Sequence, residues 1–498
     1  MREMYVADAE KQAGEEKPAA KDSKEAKEIK DEIVERTQRV TINGEVIEYT
    51  TTTGRLVMRT EEGKPRASIF FVAYARTGVE EVSRRPVTFS FNGGPGSSSV
   101  WMHLGLLGPR RVLSGDVETP QPPPYGLSDN QYSLLDVSDL VFIDPVSTGF
   151  SRASEGEDPK QFHSVEADVE SVGDFIRLWV TRNKRWLSPK FLIGESYGTT
   201  RAAGLSGYLQ ERHGMYLNGI MLVSVVLDFQ TLDHHPANDL PIILFLPTFA
   251  ATAWYHGRLA PELQADLQAT LREVESFAEG EFALALMRGD KLPATERAAL
   301  AGKIARYTGL SADYVERANL RVEIWGFVKE LLRAERRTVG RLDSRFTGAD
   351  RHATGYEAEY DASYAMIQGA YTAAFNHYVR AELGFESDLP YEVLAGLYDK
   401  WGYDKHTNRY VSVSETLRAA MTKNPWLKIN VSSGYFDLAT PYFATEYTLH
   451  HLELEPGLRE NVSVSYYAAG HMMYVHEPSL ARQKADLAAF ITRAVPKE

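Results

Sequence analysis

The chain has no cysteine among its 498 residues. That single absence excludes disulfides, thiol nucleophiles, thiolate zinc sites and iron–sulfur clusters together. Also missing is an unbroken apolar stretch of the roughly 18 residues that a membrane-spanning helix needs. The longest apolar run, near residues 240–253, is interrupted by Pro241 and Pro247. No short apolar run ahead of a small-residue cleavage site opens the sequence. The expectation is therefore a cytoplasmic protein, or one whose export signal lies outside this sequence. Positive charge is scarce as well: 55 Lys and Arg stand against 68 Asp and Glu, a net charge of −13. A non-specific grip on nucleic acid or on an anionic membrane needs a basic surface, so neither partner is expected. What is present is ordinary globular material, 43% hydrophobic and 25% charged, in a chain long enough to bury a large core.

Residues 1–35 read as a disordered charged tail, dense in Lys and Glu and without Phe or Trp. Residues 25–33 have the i,i+4 pairs of a solvated helix. Asn43-Gly44 between Val40-Thr-Ile and Glu45-Val-Ile supplies the two positive-φ positions of a type I′ hairpin. A second hairpin pairs residues 56–60 with 67–74 and turns at Glu62-Gly63. Short apolar runs follow at 87–91, 140–144, 191–194, 220–226, 429–433 and 462–466. Helical patterns lie between several of them. Val165, Val169, Val172, Phe175, Ile176 and Trp179 share one helical face. Strands alternating with helices imply a mostly parallel sheet, with the leading hairpins as antiparallel strands at one edge.

From about Asp228 to about Val411 strand signals vanish and helical stretches take over, at 261–278, 322–337 and 356–383. This segment reads as a helical insertion between two strands of the sheet. Tyr360, Tyr364, Ile367, Tyr371, Phe375 and Tyr378 form an aromatic stripe at helical spacing. Two readings of it are open: packing of the insertion onto the sheet, or walls of a substrate cleft.

Gly194-Glu195-Ser196-Tyr197-Gly198 fits G-x-S-x-G, with an apolar strand running into it and a helix-compatible run, 199–209, leaving it. That is the context of the nucleophile elbow of an α/β-hydrolase, in which the serine sits on a strained turn above the sheet. A serine nucleophile needs a base and a group that orients the base. The chain order in this fold is serine, acid, histidine. Asp437 follows the run at 429–433, and His471 follows the last run. The developing oxyanion needs donors. The Tyr197 N–H is one, and the glycine-rich turn Asn92-Gly93-Gly94-Pro95-Gly96, directly after the run at 87–91, offers another.

These pieces resemble the serine carboxypeptidase family. The matching segments are Asn92-Gly-Gly-Pro-Gly-Ser-Ser-Ser, Leu107-Gly-Pro109, Phe142-Ile-Asp-Pro-Val-Ser-Thr-Gly-Phe-Ser151, Gly194-Glu-Ser-Tyr-Gly198, Ser433-Gly-Tyr-Phe-Asp437 and Gly470-His-Met472, in the family's order. The lack of cysteine is similar to the family's bacterial branch. The resemblance implies an α/β-hydrolase fold: a mostly parallel mixed sheet, N-terminal antiparallel hairpins and a helical cap. The core would be residues 36–228 and 412–498, and the cap 229–411. It implies release of C-terminal residues from peptides through an acyl-enzyme. Ser196 would be the nucleophile, His471 the base, Asp437 the orienter, and the Gly94 and Tyr197 N–H groups the oxyanion donors. Asn92, the Gly93 backbone and Glu195 would read the substrate's free carboxylate. Glu195 can do so only when protonated, because two anions repel, and this is why the family prefers acidic conditions. Peptides are the expected partners, with a homodimer left open, and no cofactor or metal is implied. The family's usual export points to the periplasm or secretion.

Two residues depart from the family pattern. Ser90 stands where a Trp is usual, and Leu106 where a second Glu normally shares a proton with the first. Arg201 is a candidate replacement for reading the carboxylate; otherwise it pairs with an acid of the protein itself. His234-His235 reads as a loop pair, and His471 with His476-Glu477 matches no standard metal spacing. An acyltransferase or esterase using the same triad is the alternative activity, and a catalytically silent binding protein on this fold is the alternative outside enzymes.

Overall fold

The computed structural model describes residues 29–496. Nine strands form the body of one sheet: β1 (Glu32–Ile42), β2 (Glu45–Arg59), β3 (Pro65–Arg76), β4 (Val87–Phe91), β5 (Asp139–Ile143), β6 (Lys190–Ser196), β7 (Gly219–Val225), β8 (Lys428–Gly434) and β9 (Val462–Tyr467). Their order across the sheet is β1-β2-β3-β5-β4-β6-β7-β8-β9, and the short strand Arg152–Ala153 pairs beside β3. From β1 to β5 the pairings are antiparallel; from β5 onward every pairing is parallel.

The central strands are largely apolar because both of their faces are covered. Successive side chains point to opposite faces. Along β5, Leu140 and Phe142 enter one core while Val141 and Ile143 enter the other. On β7, Met221 and Val223 share the first core, and Ile220 and Leu222 the second. The second core is closed by α1 (Val165–Arg182), whose whole expected apolar face is buried, and by α2 (Tyr197–His213). Ser164 caps α1 by accepting the Ala167 N–H at 3.2 Å. The first core is closed by α3 (Ala362–Ala381) and α5 (Glu477–Ala494). A third cluster lies within residues 242–339 and continues onto Phe436, Leu438, Tyr442 and Phe443, at the start of α4 (Tyr442–His450).

Both hairpins form as expected, the first with Asn43 at φ 51° and Gly44 at φ 81°. Five expectations need correction. Glu32 to Glu35 belong to β1 rather than to a tail, since they pair with Arg55 to Thr52 of β2. That pairing also replaces the end of the helix expected over 25–33; the rest of the tail lies outside the described residues. The helix expected over 261–278 is two helices, Pro261–Gln264 and Leu267–Phe277, because extended Asp266 caps the second one. The one expected over 322–337 spans only Ile324–Glu330, and Arg336 turns left-handed beyond it. The third, expected over 356–383, starts at Ala362 because the Asp361 carboxylate accepts the Ser363 and Tyr364 N–H groups. The inserted segment also holds a two-residue strand pair, Thr338–Val339 with Thr347–Gly348.

Candidate active site

Ser196 is the last residue of β6 and stands immediately before α2. Its φ of 60° and ψ of −131° put it in a region that non-glycine residues rarely occupy, a strain of about 1–3 kcal/mol. The turn closes only because its two flanking glycines lack side chains. A Cβ on Gly194 would run into the Gly198 carbonyl, and one on Gly198 would press on the Phe91 carbonyl of β4. Thr199 holds the turn from inside. Its hydroxyl donates to Ser196 O at 2.7 Å and accepts from the Val226 N–H at 2.9 Å.

The glycine-rich loop after β4 lies against this turn. A Cβ at Gly93 would collide with the Tyr197 N–H and the Glu195 carbonyl. Gly94, at φ 105°, adopts a backbone that L side chains rarely take. Gly94, Ser196 and Tyr197 together line a cavity of about 650 Å³.

Asp437 follows β8 and is completely buried. Its Oδ1 accepts the Ala439 and Thr440 N–H groups at 2.8 and 3.0 Å. Its Oδ2 accepts the Thr440 hydroxyl at 2.7 Å and lies 2.8 Å from His471 Nδ1. Four polar contacts compensate the buried carboxylate. Helix α4 starts well past it, so Asp437 organises its own turn and does not cap that helix. Burial works against the His471 imidazolium, but the charge and hydrogen bond of Asp437, then the charge of Glu195, outweigh it. Together they raise His471 above its ordinary value. The His471 backbone is fixed on both sides. Its N–H donates to Leu342 O at 2.6 Å, and its carbonyl accepts the Ser224 hydroxyl at 2.6 Å. Ser224 sits at φ 54°, where the β7 register shifts.

His471 and Ser196 line a second cavity of about 420 Å³, together with Asn92, Gly93 and Glu195. The two cavities share Gly94, Ser196, Arg341, Tyr398 and Ala439, so Ser196 stands where they meet. Glu195 is buried and accepts the Asn92 amide at 2.8 Å through Oε1. Burial pushes its carboxyl up to about 7, outweighing the opposing pull of His471. Asn92 is itself held by the Met102 N–H on its Oδ1 at 3.1 Å.

Arg201 is not available to a substrate. It pairs with Asp168 at 2.8 Å, donates to the Asn92 carbonyl at 2.6 Å, and packs over the Phe91 and Tyr197 rings. Leu106 is fully buried in the core. Ser90 is buried on β4 with an unpartnered hydroxyl. The aromatic stripe divides between its two readings. Tyr371, Phe375 and Tyr378 pack in the first core, whereas Tyr364 and Ile367 face the smaller cavity. Tyr360 precedes α3 and is exposed. His234 faces the larger cavity against the Phe245 ring, with His235 exposed beside it. Among the described residues, no group of three or more His, Asp or Glu side chains is placed to hold a metal ion.

Sequence reasoning did not find Thr440, Ser224, Arg341 or Tyr474. Thr440 alone left a local signal, a hydroxyl three residues after an Asp. Ser224 and Arg341 arrive from distant parts of the chain, and Tyr474, three residues after His471, reads in the sequence as core packing.

An elbow serine at the head of a parallel strand, with an acid and a histidine from later strand ends, defines an α/β-hydrolase. More narrowly, the chain belongs to the serine carboxypeptidase family, whose model matches residues 46–477. Among curated relatives it is similar to Serine carboxypeptidase-like 33 of Arabidopsis thaliana, 30% identical over 149 residues, or 29% of either chain. Serine carboxypeptidase-like 29 of the same plant is 28% identical over 178 residues, 34% of this chain and 35% of that one. The chain thus spans about a third of the length of the curated relatives it matches. The fold matches Kex1(delta)p, a prohormone-processing carboxypeptidase from Saccharomyces cerevisiae, with a TM-score of 0.58 and 15% identity over 89% of this chain and 92% of that one. No helix among the described residues is long and apolar enough to cross a membrane.

Proposed function

We propose that this protein is a serine carboxypeptidase that releases C-terminal residues from peptides. The observation that carries the reading is the position of Ser196 at the meeting point of two cavities, one of which holds Asn92, Glu195 and His471. The larger cavity suits the body of the peptide, and the smaller one its last residue. Ser196 attacks the carbonyl while His471 takes its proton. Asp437 on Nδ1 keeps that nitrogen protonated, so Nε2 is free to act as base. The Gly94 and Tyr197 N–H groups receive the developing oxyanion. His471 then returns the proton to the leaving amine, and water resolves the acyl-enzyme in a second pass.

Asn92, the Gly93 backbone and a protonated Glu195 read the terminal carboxylate. A carboxyl whose affinity for a proton is raised to about 7 can donate to another carboxylate in mildly acidic solution. Residues 229–411 act as a cap: Phe245, Trp325, Arg341, Tyr364 and Tyr398 supply walls to one or both cavities. Export to the periplasm or medium is part of the same reading, and cell fractionation tests it.

Incubation with a peptide library read by mass tests the function. Products shortened stepwise from the C-terminus, and strongly slowed by C-terminal amidation, are expected. Internal cuts made equally fast in amidated peptides would overturn it.

A further inference from the structure

Glu195 satisfies only half of its carboxyl group. Oε1 takes the Asn92 amide, but Oε2 is buried without a hydrogen-bond partner among the described residues. The Tyr474 hydroxyl is likewise buried and unpartnered. The two belong to one small polar cluster with Asn92. The phenol favours the ionised carboxyl, and the carboxylate charge in turn disfavours ionisation of the phenol. An orphaned donor and an orphaned acceptor that influence one another this closely need only a small adjustment to close a hydrogen bond.

The sequence makes room for this pair. At Gly105 a Cβ would collide with the Tyr474 ring and with the Tyr371 hydroxyl. Only a glycine there lets the Tyr474 ring occupy its place. The next residue, Leu106, is buried in the core and offers no proton. Arg201, the other candidate near the loop, is spent on Asp168 and the Asn92 carbonyl.

We propose that Tyr474 is a positioning residue of the carboxylate-reading cavity: its hydroxyl donates to Glu195 Oε2 and, with Asn92 on Oε1, fixes the carboxyl group toward the substrate's terminal carboxylate. This rests on the carboxypeptidase reading above. The other groups that face Glu195 do different work. His471 favours its ionised form and Asp437 opposes it. Asn92 occupies the other oxygen, and Tyr371 senses the Glu195 charge; Tyr371 and Tyr474 both border a separate cavity with Gly105.

The test is steady-state kinetics of Tyr474→Phe, which keeps the ring and removes the hydroxyl. For a free-acid peptide, KM is expected to rise about fivefold, the scale of one lost hydrogen bond between neutral groups, with kcat changed far less. For an ester substrate with no free carboxylate, KM should be unchanged. The phenol favours ionised Glu195, so its loss should move the pH at which peptide KM begins to climb upward. Tyr371→Phe, the same deletion one ring away, should do neither. In a double-mutant cycle, Tyr474→Phe should add almost nothing in a Glu195→Ala background, which has no side-chain oxygen left to accept the hydroxyl.

Equal KM changes on ester and peptide, an unmoved pH limb, or additivity in the cycle would each overturn the inference. Should Tyr474→Phe fail to fold, Gly105→Ala displaces the same ring from the opposite side and is expected to give the same KM rise and pH shift; their absence in folded protein would also overturn it. Wild-type protein that does not trim peptides from the C-terminus at all refutes the functional reading instead, a result separate from any of these.

Discussion

Arg201 Nε lies 2.8 Å from Asp168 Oδ2, with both side chains almost completely buried, α2 against α1. The same guanidinium reaches the Asn92 carbonyl at 2.6 Å. A cation that a sequence reader offers to the substrate is thus part of the frame behind the cavity. It ties the glycine-rich loop to two helices and, on the proposed function, leaves the substrate's carboxylate to uncharged and protonated donors.

Removing that cation strands Asp168. Burial already raises Asp168 above its usual range, with Arg201 opposing. Arg201→Met is expected to destabilise the protein by about 3–5 kcal/mol, the cost of leaving a buried charge unpaired. Replacing both, as Asp168→Leu with Arg201→Met, should recover most of the loss. Chemical denaturation of the two variants checks this; equal stability of the single mutant and wild type would remove Arg201 from the frame.

Strain at Ser196 separates stability from activity. Ser196→Ala and Ser196→Gly should both lose about 10⁶ in kcat. Glycine tolerates φ 60° and ψ −131° far better than alanine, so Ser196→Gly should be about 1 kcal/mol more stable than Ser196→Ala. Melting curves of the two inactive proteins decide it. The reverse order would mean that the turn relaxes in solution.

Thr440 links two members of the site, donating to Asp437 at 2.7 Å and lying 3.3 Å from His471 Nδ1. Thr440→Val keeps the shape and removes the hydroxyl. A kcat loss of roughly tenfold is expected, from looser orientation of the imidazole, with a stability loss near 1 kcal/mol. Asp437→Asn, which favours the wrong tautomer, should cost about 10⁴. A Thr440→Val loss as large as that of Asp437→Asn would show that the hydroxyl, and not the carboxylate, sets the tautomer.

The pH profile should have two limbs carried by different groups. His471 must be neutral to act as base, and its proton affinity is raised above the ordinary imidazole value. Activity therefore falls as pH drops through that raised value, a limb carried by kcat. Glu195 must be protonated to accept a carboxylate beside it, and it loses its proton at about 7. Activity therefore also falls as pH rises past that point, a limb carried by KM. Glu195→Gln cannot ionise and should remove the second limb alone. The two groups interact, so both limbs belong to the pair. A broad optimum centred near pH 5 would contradict the raised His471 value.

Much of this protein is written locally. Asn43-Gly44 specifies its hairpin because few residues accept positive φ at two successive positions. The runs at 140–144 and 220–226 announce parallel strands because strands covered on both faces carry apolar side chains on both. G-x-S-x-G after such a strand announces an elbow because only glycines fit beside the strained serine. These are short-range steric and solvation rules, and a sequence displays them directly. Long helices in the inserted segment were legible in kind but not in extent. Their ends depend on single caps, Asp266 and Asp361, whose side chains choose the helix start.

What only the tertiary structure decided is which polar groups meet. Arg201 has the composition of a ligand-binding residue, and only its burial against Asp168 makes it a strut. Tyr474 has the composition of core aromatic packing, and only its place beside Gly105 brings its hydroxyl to Glu195. Leu342 and Ser224, far from His471 in sequence, grip its backbone from opposite sides. Hydrogen bonds and desolvation act over a few ångströms in space, and residues separated by hundreds of positions come within that range only when the sheet assembles. Local sequence therefore determined the strands, the turns and the order of serine, acid and histidine; packing determined which groups are held, which are orphaned, and which protons can move.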